Sequence, residues 1–374
     1  MKLLPTCLLF VVSVVIATTS LAADPPRGRL LFLGVAYDEA PPQGQTADHY
    51  NYAADNFTTL FNSQSAELFS EIKTDTLKGN AATRPAVANK LRSLQRIAKA
   101  DDLVFIYWGT HGGTDKRGWA ANLPGDGQVL GSEIKTELAK LPCPAVVAIS
   151  TCGSGGFVRT NPQQIDLPKN VAALCACRRK QSTNNELDVS LLEALAGFGD
   201  QNGDGQVTIG EALHYVPIRY NRLMRGSDSP DLQPVLGHVD GFALDRPLAK
   251  VGDSHVAVVS DNVWYGATIL ERLQNRVKVR YLGYDSTNPK GGFAFPDEMV
   301  KLERVDLPGG FPPIEVEWDG QWYAAKILER AERGFKIHYV GYPDSDDEVV
   351  PPKRIRFPFV GGQESVQGPR KKQM

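Results

Sequence analysis

Two apolar runs of the same design constrain this chain more than anything else in it. One reads Leu103-Val104-Phe105-Ile106-Tyr107-Trp108 and continues into Gly109-Thr110-His111-Gly112-Gly113. The other reads Ala145-Val146-Val147-Ala148-Ile149 and continues into Ser150-Thr151-Cys152-Gly153-Ser154-Gly155-Gly156. Unbroken apolar runs of that length predict strands covered on both faces, the pattern of a parallel sheet. In open sheets of this kind, sites form outside the carboxyl ends of the strands. Here those ends carry an imidazole and a thiol. A thiol near neutral pH is mostly protonated, and its thiolate is the nucleophile. A neighbouring imidazole can take that proton or stabilise the ion pair. His111 and Cys152 are therefore the candidate base and nucleophile. The glycines behind them let the chain turn sharply and bare its amides, so the N–H groups of Gly112 and Cys152 are the candidates to hold an oxyanion.

The rest of residues 29–225 alternates strands and helices. Leu30 to Val35 is another continuous apolar run, and a helical stretch follows over His49 to Phe61. Thr83 can cap a helix whose stripe is Val87, Leu91, Leu94 and Ile97. A helix over Ser132 to Leu141 separates the two reactive runs, and Val171 to Ala176 is a further strand. Such alternation predicts an α/β domain, a mostly parallel sheet with helices on both faces.

At these residues the chain resembles a known family, the caspase-like cysteine peptidases of clan-CD type, in their metacaspase and bacterial peptidase C14 branch. The resemblance rests on Tyr107-Trp108-Gly109-Thr110-His111-Gly112-Gly113 for the His-Gly motif and on Cys152-Gly153-Ser154-Gly155 for the Cys-x-Ser-Gly motif. Leu31 to Tyr37 as first strand and Ala53-Ala54-Asp55 on the first helix add to it. It implies a caspase-haemoglobinase-type fold and a cysteine-type endopeptidase acting on protein or peptide substrates. His111 would be the base and Cys152 the nucleophile, in a dyad with no obligatory third member. One position departs from the pattern. Metacaspases carry Asp two residues before the Cys, where it helps bind a basic P1 side chain, and here that residue is Ser150. The resemblance therefore implies no P1 preference. The departure also motivates an alternative, a weak or inactive caspase-fold scaffold acting through its C-terminal modules.

Residues 200–211 read Asp-Gln-Asn-Gly-Asp-Gly-Gln-Val-Thr-Ile-Gly-Glu. That spacing matches a twelve-residue EF-hand loop at each key position. Asp200, Asn202 and Asp204 offer side-chain oxygens, Gln206 its carbonyl and Glu211 a bidentate carboxylate. Gly205 stands where positive φ is needed, and Thr208 where a ligand often acts through water. Helical patterns flank the loop, Leu191-Leu192-x-x-Leu195 before it and Ala212-Leu213-x-x-Val216 after it. The expected cofactor is Ca2+ in a structural role, and no organic cofactor is expected.

After a Pro- and Gly-containing stretch, 226–250, read as a linker, the chain repeats itself. Trp264-Tyr265-x-Ala267-x-Ile269-Leu270-Glu271-Arg272 recurs as Trp322-Tyr323-x-Ala325-x-Ile327-Leu328-Glu329-Arg330. Val279-x-Tyr281-x-Gly283-Tyr284 then matches Ile337-x-Tyr339-x-Gly341-Tyr342 at the same offset. The period-two pattern predicts two small strand-rich units, 251–306 and 312–358. They resemble Tudor-like or chromo-barrel modules, which are SH3-like barrels. The resemblance implies a binding face at Trp322, Tyr323, Tyr339 and Tyr342 for a protein or surface ligand, although core packing is the commoner role of such rings. Asp347-Glu348 belongs to the same motif, and the first repeat lacks the acidic pair at that spacing, with Asp297-Glu298 further along.

Lys2, the apolar stretch Leu8 to Ala17 and the small residues Ser20-Leu21-Ala22 read as a signal peptide over 1–22, so the chain is expected to be exported. A length of 374 residues is a prior for two or three domains at roughly 150 each. The net charge of −2 gives no electrostatic footprint for nucleic acid. No stretch beyond the leader is apolar enough to span a bilayer. Cys7 falls in the leader, leaving Cys143, Cys152, Cys175 and Cys177. With Cys152 as a nucleophile, at most one bridge forms among the other three. Cys143 with Cys175 could bridge or stay a reduced pair. The polar, basic stretch 361–374 reads as a disordered tail.

Overall fold

The computed structural model describes residues 28–38, 49–125, 127–159, 164–183, 186–223, 234–252, 254–260, 263–273, 276–284, 296–301, 304–306, 314–331, 334–351 and 354–356. The expected leader (1–22), the tail (361–374), residues 226–233 and residues 307–313 lie outside them.

Strand β1 (Arg29–Tyr37) leads into helix α1 (His49–Gln64), strand β2 (Glu71–Lys78), helix α2 (Arg84–Ile97) and strand β3 (Leu103–Thr110). A small three-stranded sheet follows, made of β4 (Gly112–Asp115), β5 (Gly118–Leu123) and β6 (Gly127–Leu130). Helix α3 (Gly131–Leu138), strand β7 (Ala145–Ser150), the short helix α4 (Gly155–Val158) and strand β8 (Val171–Cys175) come next. Helix α5 (Glu186–Glu193) and a widened turn at Ala194–Phe198 enter the 200–211 loop, which contains β9 (Gln206–Thr208) and continues as helix α6 (Ile209–Leu223). Strands β10 (Val235–Gly237) and β11 (Pro247–Lys250) complete this part.

The main sheet has the order β10-β8-β7-β3-β1-β2, parallel throughout except for β10 at one edge. Side chains alternate across it. Phe32, Phe105, Val146 and Leu174 face α1, α5 and α6, while Leu31, Val104, Val147 and Ala173 face α2, α3 and α4. The expected α/β class, with helices on both faces, is what the chain adopts. Because both faces are dry, β3 and β7 are buried at every residue, and this is why their sequences read as unbroken apolar runs.

Helix α2 shows how local signals and packing combine. Thr83 caps it, its hydroxyl accepting from the Ala86 amide at 3.3 Å. Val87, Leu91 and Leu94 bury one face against the sheet. Each full burial of such a side chain stabilises by about 1.5–3 kcal/mol, so Leu91→Ala would cost about 2–5 kcal/mol. Ile97, read as part of this stripe, is instead 41% exposed, because it ends the helix beyond the cover of the sheet.

The stretch read as a linker carries structure of its own. Strand β10 closes the main sheet, and β11 pairs antiparallel with β9 of the 200–211 loop. The chain leading out of the α/β part is thus the partner of the short strand in this loop.

Each repeat is a five-stranded antiparallel sheet. The first comprises β12 (His255–Ser260), β13 (Val263–Arg272), β14 (Arg276–Tyr281), β15 (Glu298–Lys301) and β16 (Val305–Asp306). The second comprises β17 (Ile314–Trp318), β18 (Gln321–Ala331), β19 (Gly334–Tyr339), β20 (Glu348–Val350) and β21 (Ile355–Arg356). One sequence reading is corrected here. Asp297-Glu298 occupies the same place as Asp347-Glu348, since Val279 pairs with Glu298 as Ile337 pairs with Glu348. Tyr281 donates to Glu298 and Tyr339 to Glu348, each at 2.6 Å. The chain between Tyr284 and Asp297 is simply longer than that between Tyr342 and Asp347, and this shifts the spacing without moving the pair.

The first repeat docks on the α/β part through a buried ion pair. Glu193 at the end of α5 accepts from Arg219 Nε at 2.5 Å and Nη2 at 2.9 Å. It also accepts from the Gly266 amide of β13 at 2.7 Å, while Arg219 donates to the Trp264 carbonyl at 2.6 Å. The guanidinium carbon lies 5.5 Å from the centroid of the Tyr265 ring.

Candidate active site

Three adjacent strands end at one level. Tyr37 of β1 is the register partner of Thr110 of β3, and Gly109 of β3 is the partner of Ser150 of β7. One step past Tyr37 and Thr110 stand Asp38 and His111. Two steps past Gly109 and Ser150 stand His111 and Cys152. Neighbouring strands lie about 4.8 Å apart, so the pairing brings the strand ends that lead into Asp38, His111 and Cys152 side by side at one sheet edge.

Asp38 Oδ1 lies 2.7 Å from His111 Nε2; the carboxylate is 11% exposed and the imidazole 48%. Tyr50 of α1 packs edge-on against the imidazole, with ring centroids 6.1 Å apart. Burial raises the Tyr50 hydroxyl well above the usual tyrosine range, helped by Asp188 and Cys152, so it stays a neutral phenol.

The turn after β7 is built around Cys152. The Trp119 indole donates to Thr151 Oγ1 at 2.7 Å, and Thr114 Oγ1 donates to the Gly153 carbonyl at 2.6 Å. Gly153 has φ +65°, and a Cβ there would meet both the Thr114 amide and the Arg179 carbonyl at 3.0 Å. No other residue fits that turn without strain. On the far side, the Gly153 amide donates to the Gln181 carbonyl at 2.8 Å and the Gly155 amide to the Cys177 carbonyl at 2.7 Å. Cys152 is the half-buried thiol of the four; Cys143, Cys175 and Cys177 are buried. All four are unbridged, so the reduced state is the one adopted, of the two left open for Cys143 and Cys175. Burial pushes the Cys143 thiol up to about 11 and raises Cys175 and Cys177 as well, so none of these three supplies a thiolate near neutral pH.

Gly112 sits in β4 opposite Ala121. The Asn122 amide donates to the His111 carbonyl at 2.8 Å. Residues alternate along an antiparallel ladder between facing the partner strand and facing away, so the Gly112 amide turns away from β5.

Under Ser150 stands a carboxyl that the sequence reading did not find. Asp188 of α5 is fully buried, and both its oxygens, Ser150 Oγ and the Tyr107 hydroxyl lack a hydrogen bond of ordinary geometry. Burial pushes the Asp188 carboxyl up to about 8, with Ser150 and Tyr107 opposing the rise. Asp38 and Asp188 were both missed for want of a neighbour. The signal for Asp38 was its place directly after an apolar strand ending at the same sheet edge. For Asp188 it was a charge inside the apolar stretch Leu187–Leu192.

In the 200–211 loop the carboxylates accept hydrogen bonds from the loop's own backbone amides. Asp200 accepts from the Gly203 and Gly205 amides at 2.8 and 3.0 Å, and Asp204 from Gln206 at 2.9 Å. Glu211 accepts from the Gln201 amide at 3.2 Å and from Thr208 at 2.8 Å. Gly205 has φ +82°. Among the described residues, the grouping whose ligand atoms all lie within 4.8 Å of one another is His338, Asp344 and Asp347 on the second repeat, not the loop carboxylates.

In the second repeat, Trp318, Tyr323, Tyr339 and Tyr342 form a row, with successive ring centroids 5.9, 6.2 and 6.2 Å apart. Tyr323 and Tyr339 are buried, whereas Trp318, not singled out from the sequence, is 42% exposed. Trp322 is half-buried on the opposite face of β18 from Tyr323. The first repeat has the equivalent cluster of Tyr265, Tyr281 and Tyr284, and there Arg219 lies against Tyr265.

No helix among the described residues is long and apolar enough to cross a membrane. No family model and no curated protein matches the chain. Among solved structures, the chain is similar to the crystal structure of the Drosophila initiator caspase Dronc, at 12% identity, with 57% of this chain and 80% of that chain covered and a TM-score of 0.40.

Proposed function

We propose that the chain is an exported cysteine-type endopeptidase with a caspase-like catalytic domain, a structural calcium site and two SH3-like binding modules. The observation that carries this reading is that the adjacent ends of β1, β3 and β7 lead into Asp38, His111 and Cys152, with the imidazole 2.7 Å from a carboxylate. Asp38 accepts the Nε2 proton, which leaves Nδ1 as the nitrogen for the thiol proton. His111 takes that proton from Cys152, and the thiolate sulfur bonds to the scissile carbonyl carbon. The carbonyl π pair moves to oxygen, where the amides of Gly112 and Cys152 face it. As the oxyanion collapses, the C–N bond breaks and His111 gives its proton to the leaving amine. Water, deprotonated by the same imidazole, then hydrolyses the thioester and frees Cys152.

Asp200, Asn202, Asp204, the Gln206 carbonyl and Glu211 are an all-oxygen donor set with the glycine turn such a loop requires, and they fit Ca2+. The ion would tie α5 to α6 by charge neutralisation at the loop; no catalytic step needs it. For the second repeat, the support for a binding role is internal. Tyr265, the first-repeat equivalent of Tyr323, already packs against the Arg219 guanidinium, and cations are attracted to aromatic faces.

The test is labelling of the full chain with electrophilic peptide probes varied at P1. Labelling at Cys152 that is lost in His111→Ala supports the reading. A folded protein with an accessible thiol that no probe labels sinks it, and favours the scaffold.

A further inference from the structure

The second repeat carries three side chains of metal-ligand type that the chemistry above does not use. His338 lies on β19, and the short helical turn Asp344–Asp346 follows it, opened by Asp344 and closed by Asp347. His338 Nδ1 stands 2.8 Å from Asp347 Oδ1 and 3.6 Å from Asp344 Oδ1. One ligand atom from each of the three lies within 4.8 Å of the others. Ligands of a single tetrahedral ion, at bond lengths of about 2.0–2.2 Å, stand about 3.3–3.6 Å apart. The Asp344 side chain is 96% exposed, so it can close that difference by swinging without disturbing any packing.

The first repeat shows that this place in the fold takes a cation. There Arg280 stands where His338 stands, because Val279 pairs with Glu298 as Ile337 pairs with Glu348. Its guanidinium donates from Nε and Nη2 to the two oxygens of Asp297, the counterpart of Asp347, each at 2.9 Å. The second repeat keeps this carboxylate, adds Asp344, and replaces the guanidinium by an imidazole. A guanidinium has no lone pair to give a metal, whereas a neutral imidazole has one. Among the described residues, His338 is the ion-pair partner of both carboxylates, so neither is balanced by an ammonium or a guanidinium.

We propose that His338, Asp344 and Asp347 bind a divalent transition-metal ion of the zinc type. The ion takes the position of the proton shared by Nδ1 and Asp347. An imidazole with two carboxylates suits Zn2+ and its neighbours better than Ca2+ or Mg2+, which favour all-oxygen sets. Bound there, the ion ties the turn at 344–347 to β19. Tyr339 and Tyr342 of the aromatic row lie between the ligands in sequence, so the same ion steadies the segment that presents them. The site belongs to the second repeat and is independent of the peptidase reading.

The experiment is calorimetric titration of the full chain carrying Cys152→Ala with Zn2+, in excess Ca2+ so that the 200–211 loop does not take the added ion. Two variants in the same background run beside it. His338→Arg installs the residue of the first repeat, which keeps a cation beside Asp347 and removes the ligand. Asp344→Asn alters an exposed side chain. The expected result is a binding event of one Zn2+ per chain that is absent in His338→Arg. Asp344→Asn should weaken it by at least about 10–100-fold, the loss that changes outside the ligand shell already bring. Zn2+ should also raise the Tm of the parent and leave that of His338→Arg unmoved. No Zn2+ binding in the parent, or binding unchanged in His338→Arg, overturns the site. A loss confined to His338→Arg overturns the three-ligand set. Binding that rising Ca2+ displaces overturns the transition-metal assignment.

Discussion

The carboxylate of Asp38 and the imidazole of His111, 73 residues apart in the chain, meet at 2.7 Å because β1 and β3 are parallel neighbours in register. Only one nitrogen of the ring faces the carboxylate, so the contact fixes which nitrogen is left for the thiol. Replacing Asp38 by Asn keeps the shape and removes the charge. We expect kcat on a probe peptide to fall about 10²-fold with KM little changed. An Asp38→Asn protein with wild-type kcat would show the contact to be incidental.

Cys152→Ala should abolish hydrolysis while leaving the unfolding midpoint within about 0.5 kcal/mol of wild type, as for a surface change away from packing. The measurement is turnover beside urea denaturation of the same preparation. Residual turnover above background would move the nucleophile elsewhere.

Asp188 makes stability depend on pH in an unusual direction. Its folded carboxyl is pushed up to about 8 from an ordinary value of 3.8. Between those pH values the folded state keeps a proton that the unfolded state has lost, so stability falls as pH rises through that window and levels off above it. Asp188→Asn removes the ionisable group. The variant should gain on wild type by a few kcal/mol at pH 9 and by little at pH 4. Parallel pH curves for the two proteins in denaturant titrations would exclude this account.

The Glu193–Arg219 pair is buried at both ends, with 2% and 3% of the side chains exposed. Arg219→Ala leaves a buried carboxylate facing only Tyr215 and the Gly266 amide. Such losses cost about 3–5 kcal/mol. Because the pair grips β13, the first repeat should also become more open to limited proteolysis than it is in the intact chain. A variant as stable and as resistant as wild type would show that docking rests on other contacts.

Calcium should stabilise the fold by about 2.7 kcal/mol when free ion is at 100 times Kd. The increment is read as a Tm difference between calcium and chelator. Glu211→Gln should erase the increment, read as the variant's own Tm difference between calcium and chelator, since the lost acceptor lowers its Tm in both. No difference in the wild type would leave 200–211 an interhelical turn.

How much was legible beforehand differs from element to element. The strands β1, β3, β7 and β8 stood out because burial on both faces demands unbroken apolar runs. Helix α2 stood out because its cap and stripe are local. Strand β2 did not, since it is an edge strand, mostly half-exposed, and its residues Glu71–Lys78 alternate without an apolar run. Strands β10 and β11 hid in a stretch whose prolines and glycines read as a tether, because short strands earn their pairing from partners far away in sequence. The acidic pair of the first repeat was displaced on paper by a longer turn and restored by the pairing of β14 with β15.

What the amino-acid sequence determined by itself was everything carried by local pattern. That includes the parallel-sheet class, the His and Cys at strand ends, the spacing of oxygens in 200–211 and the existence of two like units. Only the tertiary structure decided which carboxylate holds His111, that Asp188 stands beneath Ser150, and which strand pairs with the 200–211 loop. These depend on strand order and register, which bring together residues from 38 to 266. No local periodicity encodes that choice; it is made by the burial of both sheet faces at once.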